Sequence, residues 1–380
     1  MAERIITLRE LNRATLARQL LLPDERRSRP APPSGADVVA AVERIAGLQS
    51  QESRAAAIGL WTRLPGLRRE QINDLLLRRV LVKGTLMRVT QHLVSADDYL
   101  VLRPALQTSL TRWAQAMLRR RAPGHKLTAL AADARSFFAE PHRAQELRHR
   151  LEARYPGTDT EALTIAVRVH LPLVQVPLAT APWGLPGNPA LMNAEDWLGL
   201  VLPRPGGADE LVTRYLAAFG PARLTDVRRW SGLAGLSDEL ERLAPRLRRF
   251  RDEGGRELVD LTEVAETRRP GDDPPVAPLL LPAWDNTMLA YAERDRMVPE
   301  ALWETVYGGR AIGPAALLDG FAAATWTIER SGDATVIAIS SPAPLGDEAG
   351  EALAAVGERL ARFVAPEATR VAVRFDSPKG

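Results

Sequence analysis

Twice along this chain a helical pattern gives way to a short two-stranded pattern around a turn. In residues 69–78, Ile72, Leu75 and Leu76 form a helical stripe, and Val80-Leu81-Val82, Lys83-Gly84 and Leu86-Met87-Arg88-Val89 then read as a hairpin. Further on, residues 209–218 are an amphipathic helix, Gly220-Pro221 is a stop and turn, and Thr225 caps a short helix through Trp230. Residues 246–251 and 257–261 follow, on either side of the turn Glu253-Gly254-Gly255-Arg256. Helix, turn, helix and hairpin in that order favour winged helices over generic helical pairs.

The rest of the chain fits around these two modules. Residues 7–20 read as a helix, although Leu8 and Leu11, and Leu16 and Leu20, do not share one narrow stripe. A Pro-rich surface link over residues 23–33 comes next, then a helix with Val38, Val42, Ile45 and Leu48 on one face, started by Ser34 and Asp37, and a short helix at 55–60. With the first hairpin these make a winged helix over residues 1–95. Residues 96–151 are helical with a break at Pro123-Gly124, followed by a helical patch at 161–169, a strand at 173–176 and a Pro/Gly loop at 182–189. That stretch, 96–200, is read as a second winged helix, and 201–270 as the third. Residues 271–380 carry strands at 322–328, 335–339 and 370–375 and a helix at 347–363, a β-rich closing domain. The fold class expected is α+β.

Composition narrows the partners. No apolar run approaches the ~20 residues of a membrane span, and Glu3, Arg4, Arg9 and Glu10 leave no apolar secretory stretch at the start. A cytoplasmic protein, nucleoid-associated and monomeric, is expected. Cysteine is absent and the five histidines (His92, His125, His142, His149, His170) include no pair at helical ligand spacing, so no metal or other cofactor is expected. Net charge is only +3, yet Lys83, Lys126 and Lys379 are the only lysines among 50 basic residues. Arginine forks suit phosphates and guanine edges. An Ala- and Arg-rich composition is also what a GC-rich genome writes everywhere, so the positions of the clusters (119–121, 228–229 and Arg246, Arg248, Arg249, Arg251) say more than their number.

The chemistry centres on Gln49 and Gln51, at the end of Ala40-Ala41-Val42-Glu43-Arg44-Ile45-Ala46-Gly47-Leu48-Gln49-Ser50-Gln51. Side chains two apart converge only where the chain is extended or turning, and Gly47 is where the preceding helix would lose regularity. From spacing alone, one glutamine capping the helix and the other solvated is the simpler account. The segment, however, resembles the Gln-Φ-Gln motif of the AlkZ-type DNA glycosylases, bacterial winged-helix proteins that excise bulky alkylated purines. The resemblance continues through Lys83-Gly84-Thr85-Leu86-Met87-Arg88, Gln91-His92-Leu93-Val94-Ser95-Ala96-Asp97-Asp98-Tyr99, Arg214-Tyr215-Leu216-Ala217-Ala218-Phe219-Gly220-Pro221-Ala222, Trp230-Ser231-Gly232-Leu233 and Leu280-Leu281-Pro282-Ala283-Trp284-Asp285-Asn286. Ser50 departs from the usual apolar middle residue. The sister YcaQ-type branch has Asp where this chain has Gln51.

The resemblance implies tandem winged helices in a C-shaped arrangement around double-stranded DNA, and catalysis by Gln49 and Gln51 on alkylated purines such as N7-alkylguanine and N3-alkyladenine. The expected DNA contacts are Arg54, Lys83, Arg88, His92, Arg228, Arg229, Arg249 and Arg251, with His92 approaching the lesion or the neighbouring backbone. The alternative for each is a solvated face or, for His92, a core-edge histidine. Trp61, Trp113 and Trp230 are expected in the core, and Asp285 and Asn286 in a turn made by their own side chains. Asp285 is the carboxylate to test for catalysis. A non-catalytic DNA-binding regulator is the competing function, and a protein that sequesters the genotoxic drug is a third; the glutamine pair separates the first two, because a regulator needs no polar pair at a helix exit.

Overall fold

The fold is that of a computed structural model describing residues 4–22, 32–264, 273, 276–308 and 312–376. Most of the Pro-rich link, through residue 31, and Lys379 lie outside the described residues.

The chain begins with β1 (Ile5–Ile6) and α1 (Leu8–Arg18). Thr7 opens α1: its hydroxyl accepts from the Glu10 amide at 3.2 Å and the Glu10 carboxylate accepts from the Thr7 amide at 2.8 Å. The missing single stripe now has a cause. Leu11 packs with Ile6, Phe250 and Leu258, whereas Leu16 packs with Leu21, Met288 and Leu317, so α1 is wedged between two apolar clusters.

Next come α2 (Gly35–Arg44), β2 (Leu48–Gln49), α3 (Ser53–Arg63), α4 (Arg69–Leu77), β3 (Leu81–Thr85) and β4 (Gln91–Ser95). Val38, Val42, Ile45, Leu60, Ile72, Leu75 and Leu76 form their shared core. The hairpin is one turn later than the sequence suggested. Its antiparallel register runs from Leu81 opposite Ser95 to Thr85 opposite Gln91, and residues 86–89, expected in the second strand, form the connecting turn. Arg88 and Val89 sit there at φ +54° and +62°, left-handed backbone that no strand accommodates.

The helices α5 (Ala96–Arg121) and α6 (Leu127–Phe137), the strand β5 (His142–Arg143), the helices α7 (Ala144–Arg154) and α8 (Thr160–His170), the strands β6 (Leu173–Gln175) and β7 (Ala190–Asn193) and the short helix α9 (Ala194–Leu198) follow. One six-stranded sheet, ordered β2-β4-β3-β6-β7-β5, runs through both of these regions. They join at Gly84 opposite Val174. A Cβ on Gly84 would lie 2.9 Å from the Tyr99 ring and 3.0 Å from the Leu173 carbonyl, so only glycine allows this approach.

Then α10 (Asp209–Phe219), α11 (Leu224–Ser231) and α12 (Ser237–Leu243) lead into β8 (Leu247–Asp252) and β9 (Glu257–Leu261). β1 lies parallel to β8 on its other edge. Tyr215, Phe219 and Trp230 make an aromatic centre, with Tyr215 and Trp230 ring centroids 5.3 Å apart. Thr225 is not the cap of α11. It lies inside the helix, and the cap is Arg223, whose amide donates to Asp226 Oδ2 at 2.9 Å.

The C-terminal region contains β10 (Leu279–Leu281), α13 (Asn286–Leu289), α14 (Trp303–Tyr307), β11 (Ala315–Leu318), β12 (Phe321–Ser331), β13 (Ala334–Ser340), α15 (Asp347–Val364) and β14 (Arg370–Asp376). Its sheet is ordered β10 to β14 in sequence, antiparallel except for the β13–β14 pair, which α15 connects. β10 and β11 escaped the sequence reading because they are short, apolar runs without alternation. They matter for position: Thr62 on α3 donates to the Leu280 carbonyl at 2.9 Å, fixing residues 282–286 against the exit of α2.

Candidate active site

The helix α2 ends as its composition requires. Ile45 closes it, Ala46 and Gly47 turn at φ +59° and +75°, and a Cβ on Gly47 would come 2.5 Å from Val94 Cγ1. The chain emerges into β2, with Leu48 opposite Leu93 and Gln49 opposite His92. The Ser50 amide continues the pairing by donating to the Gln91 carbonyl at 2.7 Å. Gln49 is the last residue of β2 and Gln51 follows in a bend just before α3, so the two amides flank Ser50 where the strand ends.

Two side chains from distant parts of the sequence hold this strand. Asn286 accepts from the Gln49 amide at 3.3 Å and donates to the carbonyls of Ile45, at 3.2 Å, and Gly47. Arg88 donates through Nη2 to Gln49 Oε1 at 2.6 Å and through Nη1 to the Trp230 carbonyl. Gln49 is buried and Gln51 is exposed, with no side-chain hydrogen bond among the described residues. Burial, then the nearby Arg229 charge, pushes the Arg88 guanidinium down to about 10, still protonated at neutral pH.

The remaining sequence candidates divide. His92 is buried across the ladder from Gln49, with Nδ1 donating to the Thr90 carbonyl at 3.1 Å. Burial, and secondly Arg88, pushes it down to about 3, so it is a neutral, core-edge imidazole. Lys83 is also inside, its ammonium donating to Ser53 Oγ at 3.1 Å; burial pushes it down to about 8 against the opposing pull of Glu52. Both were expected on DNA, and both are turned inward. Arg54 is exposed, 4.0 Å from Glu52. Arg228 and Arg229 project from α11 with no ion pair among the described residues. On the hairpin, Arg249 pairs with Glu257 at 2.6 Å and Arg251 donates to the Gly255 carbonyl at 2.8 Å.

Asp285 has a structural assignment. Its carboxylate takes both prongs of Arg63 and caps α13 by accepting from the Thr287 amide at 3.0 Å and hydroxyl at 2.9 Å. The turn made by its own side chain is thus present, and Asn286 does something the sequence reading missed: it reaches the Gln49 strand. The signal was there in the Trp284-Asp285-Asn286 signature, without a partner to attach it to. Trp230 is core and Trp61 stacks on Phe363 at 5.7 Å, while Trp113 is 38% exposed. No cluster of three or more metal-ligating side chains occurs among the described residues, and no described helix is long and apolar enough to cross a membrane.

Residues 42–363 match the model of the AlkZ-like DNA glycosylases. The chain belongs to that family. The fold agrees: the solved structure of the Streptomyces sahachiroi DNA glycosylase AlkZ superposes with a TM-score of 0.74 at 21% identity, over 98% of this chain and 100% of that one. No curated protein matches the sequence. As an AlkZ-like DNA glycosylase, the chain carries the Gln-x-Gln segment inside the matched region, at a strand that side chains from the first hairpin and the C-terminal region both clamp.

Proposed function

We propose that this AlkZ-like protein is a monofunctional DNA glycosylase that hydrolyses the N-glycosidic bond of cationic alkylated purines, N7-alkylguanine and N3-alkyladenine, in duplex DNA. Bulky or cross-linked natural-product adducts fit an open site better than a snug extrusion pocket. The observation that carries the reading is the glutamine pair at the exit of a clamped strand, with His92 and Asp285 unavailable as acid or base. His92 is neutral and buried, and Asp285 is spent on Arg63. In the reaction, the C1′–N9 electron pair leaves with the purine and cancels its formal charge. Water then adds to C1′ and releases its proton to solvent. Amides orient that water and stabilise the sugar cation, and a base that departs already activated needs no acid.

DNA would lie against tandem winged helices in a C-shaped arrangement, with Arg54 and the α11 arginines on phosphates. A transcriptional regulator would have no use for two clamps on a strand outside its recognition helix. Release of free 7-methylguanine from a modified duplex, with alkali revealing the abasic site, tests the reading. A protein that binds the duplex and releases no base overturns it.

A further inference from the structure

The two glutamines are not equivalent, and the difference lies in what Arg88 does to one of them. Arginine has donors only, so the group facing Nη2 at 2.6 Å must be the Gln49 carbonyl oxygen, and the amide nitrogen must point the other way. That nitrogen has no protein acceptor among the described residues and is not among the sealed polar atoms. Gln51, by contrast, is exposed and unengaged, free to offer its oxygen.

Arg88 itself is placed by construction. Its left-handed turn is seated on the end of α11, where Gly232, at φ +75°, closes the helix, and a Cβ on Gly232 would stand 3.2 Å from both Arg88 N and Cα. The second prong of the guanidinium binds the Trp230 carbonyl at that same helix end, where the dipole favours a cation. No carboxylate pairs with Arg88 among the described residues. An unneutralised guanidinium on an amide oxygen draws electron density from the nitrogen and makes its N–H groups stronger donors.

We propose that Arg88 is a positioning residue that fixes Gln49 as a hydrogen-bond donor, so that Gln49 serves the departing purine while Gln51 serves as acceptor for the attacking water. The division follows the electron flow. The leaving base gains an electron pair, and a polarised N–H stabilises it; the water loses a proton, and a free amide oxygen directs it. Because Arg88 also holds Trp230, the donor is in place only while the first hairpin stays docked on α11.

This inference rests on the glycosylase reading, and its test separates the two. Single-turnover release of 7-methylguanine is compared for wild type, Arg88→Met, Gln49→Ala, the double variant Arg88→Met with Gln49→Ala, Gln49→Glu and Gln51→Glu, with duplex affinity and melting temperature alongside. Arg88→Met should slow release by about 100-fold with affinity nearly unchanged, and should cost almost nothing further once Gln49 is Ala. Gln49→Glu keeps the Arg88 contact as an ion pair and loses the donor, so it should be as slow as Gln49→Ala. Gln51→Glu keeps an acceptor and should retain most of the rate.

A Gln49→Glu variant at the wild-type rate overturns the donor assignment, and full additivity of Arg88→Met with Gln49→Ala overturns the positioning role. The side-chain amide resonance of Gln49, assigned by its loss in Gln49→Ala, gives a second readout: it should shift in Arg88→Met and stay put in Arg228→Met. An unshifted resonance also overturns the proposal. If wild type releases no base, the glycosylase reading falls, and the amide spectrum still decides whether Arg88 holds Gln49.

Discussion

Asp285 and Arg63 form an ion pair sealed from solvent at both ends, with Arg63 Nη1 donating to Oδ2 at 2.8 Å and Nη2 to Oδ1 at 2.9 Å. The pair ties α3 to the start of α13, and so sets where Asn286 meets Gln49. Removing one partner strands a buried charge, which costs on the order of 3–5 kcal/mol. Asp285→Asn should therefore lower the urea midpoint and melting temperature sharply. An unchanged melt combined with abolished excision would instead make Asp285 a chemical participant.

Lys83 gives a prediction in pH. Its ammonium is buried and pushed down from 10.5 to about 8, so the contribution it makes to stability is present above pH 10.5 and lost as pH falls through about 8. At pH 7 the full cost stands. Lys83→Met should be the more stable protein there, by roughly 1–3 kcal/mol, and the gap should close between pH 8 and 10.5. Denaturant titrations at several pH values check it. Loss of duplex affinity in the same variant would put the ammonium on a phosphate after all.

Asp98 behaves in the opposite sense. It is buried at the start of α5, its amide donates to the capping Ser95 Oγ at 3.0 Å, and Arg214 Nη2 stands 3.0 Å from its Oδ1 without hydrogen-bond alignment. Burial pushes it up to about 6, with Glu43, Glu210 and Asp97 adding to the rise and Arg214 opposing. A raised carboxyl contributes stability that is complete below 3.8 and lost as pH rises through about 6. Acidifying from pH 8 to pH 5 should favour wild type over Asp98→Asn by roughly 1.4 kcal/mol. A difference that stays flat across that range would mean the carboxylate is well solvated.

Salt dependence separates arginines that are free from arginines that are occupied. Arg228 and Arg229 have no ion pair among the described residues, whereas Arg249 is already on Glu257. Replacing either α11 arginine by Gln should flatten the slope of log affinity against log salt by about one unit. Arg249→Gln should change it less. The reverse order, read from fluorescence titrations at four salt concentrations, would place the DNA on the β8–β9 hairpin and leave α11 in solvent.

The helices α5, α10 and α15 and the strands β12 to β14 were readable because each buries one face at a regular period. The glutamine exit was readable too, since Gly47 sits where a left-handed turn is needed. What the sequence could not show was direction. Lys83 and His92 look like solvent-facing hairpin residues, and only the β2–β4–β3 register reveals that both are covered. The hairpin strand at 86–89 failed because apolar Leu86, Met87 and Val89 look like a strand while serving as the core contacts of a left-handed turn. Asn286 was invisible as a site residue because its partners lie more than 230 positions away.

Substrate charge is the consequence of what surrounds the glutamines. With His92 neutral down to about pH 3, Asp285 committed to Arg63 and amides at 49 and 51, neither His92 nor Asp285 donates a proton to a neutral leaving base. Cationic 7-methylguanine and 3-methyladenine should be released, while uracil, 8-oxoguanine and hypoxanthine should stay in place. The rate on the cationic lesions should also be nearly flat between pH 5 and 8, because no catalytic group titrates there. Asp98, at about 6, and Lys83, at about 8, titrate in or at the edge of that window and act on stability. Their contribution is removed by repeating the profile in a variant carrying Asp98→Asn and Lys83→Met. Efficient uracil release, or a bell-shaped profile that persists in that variant, would show a working acid or base at the site.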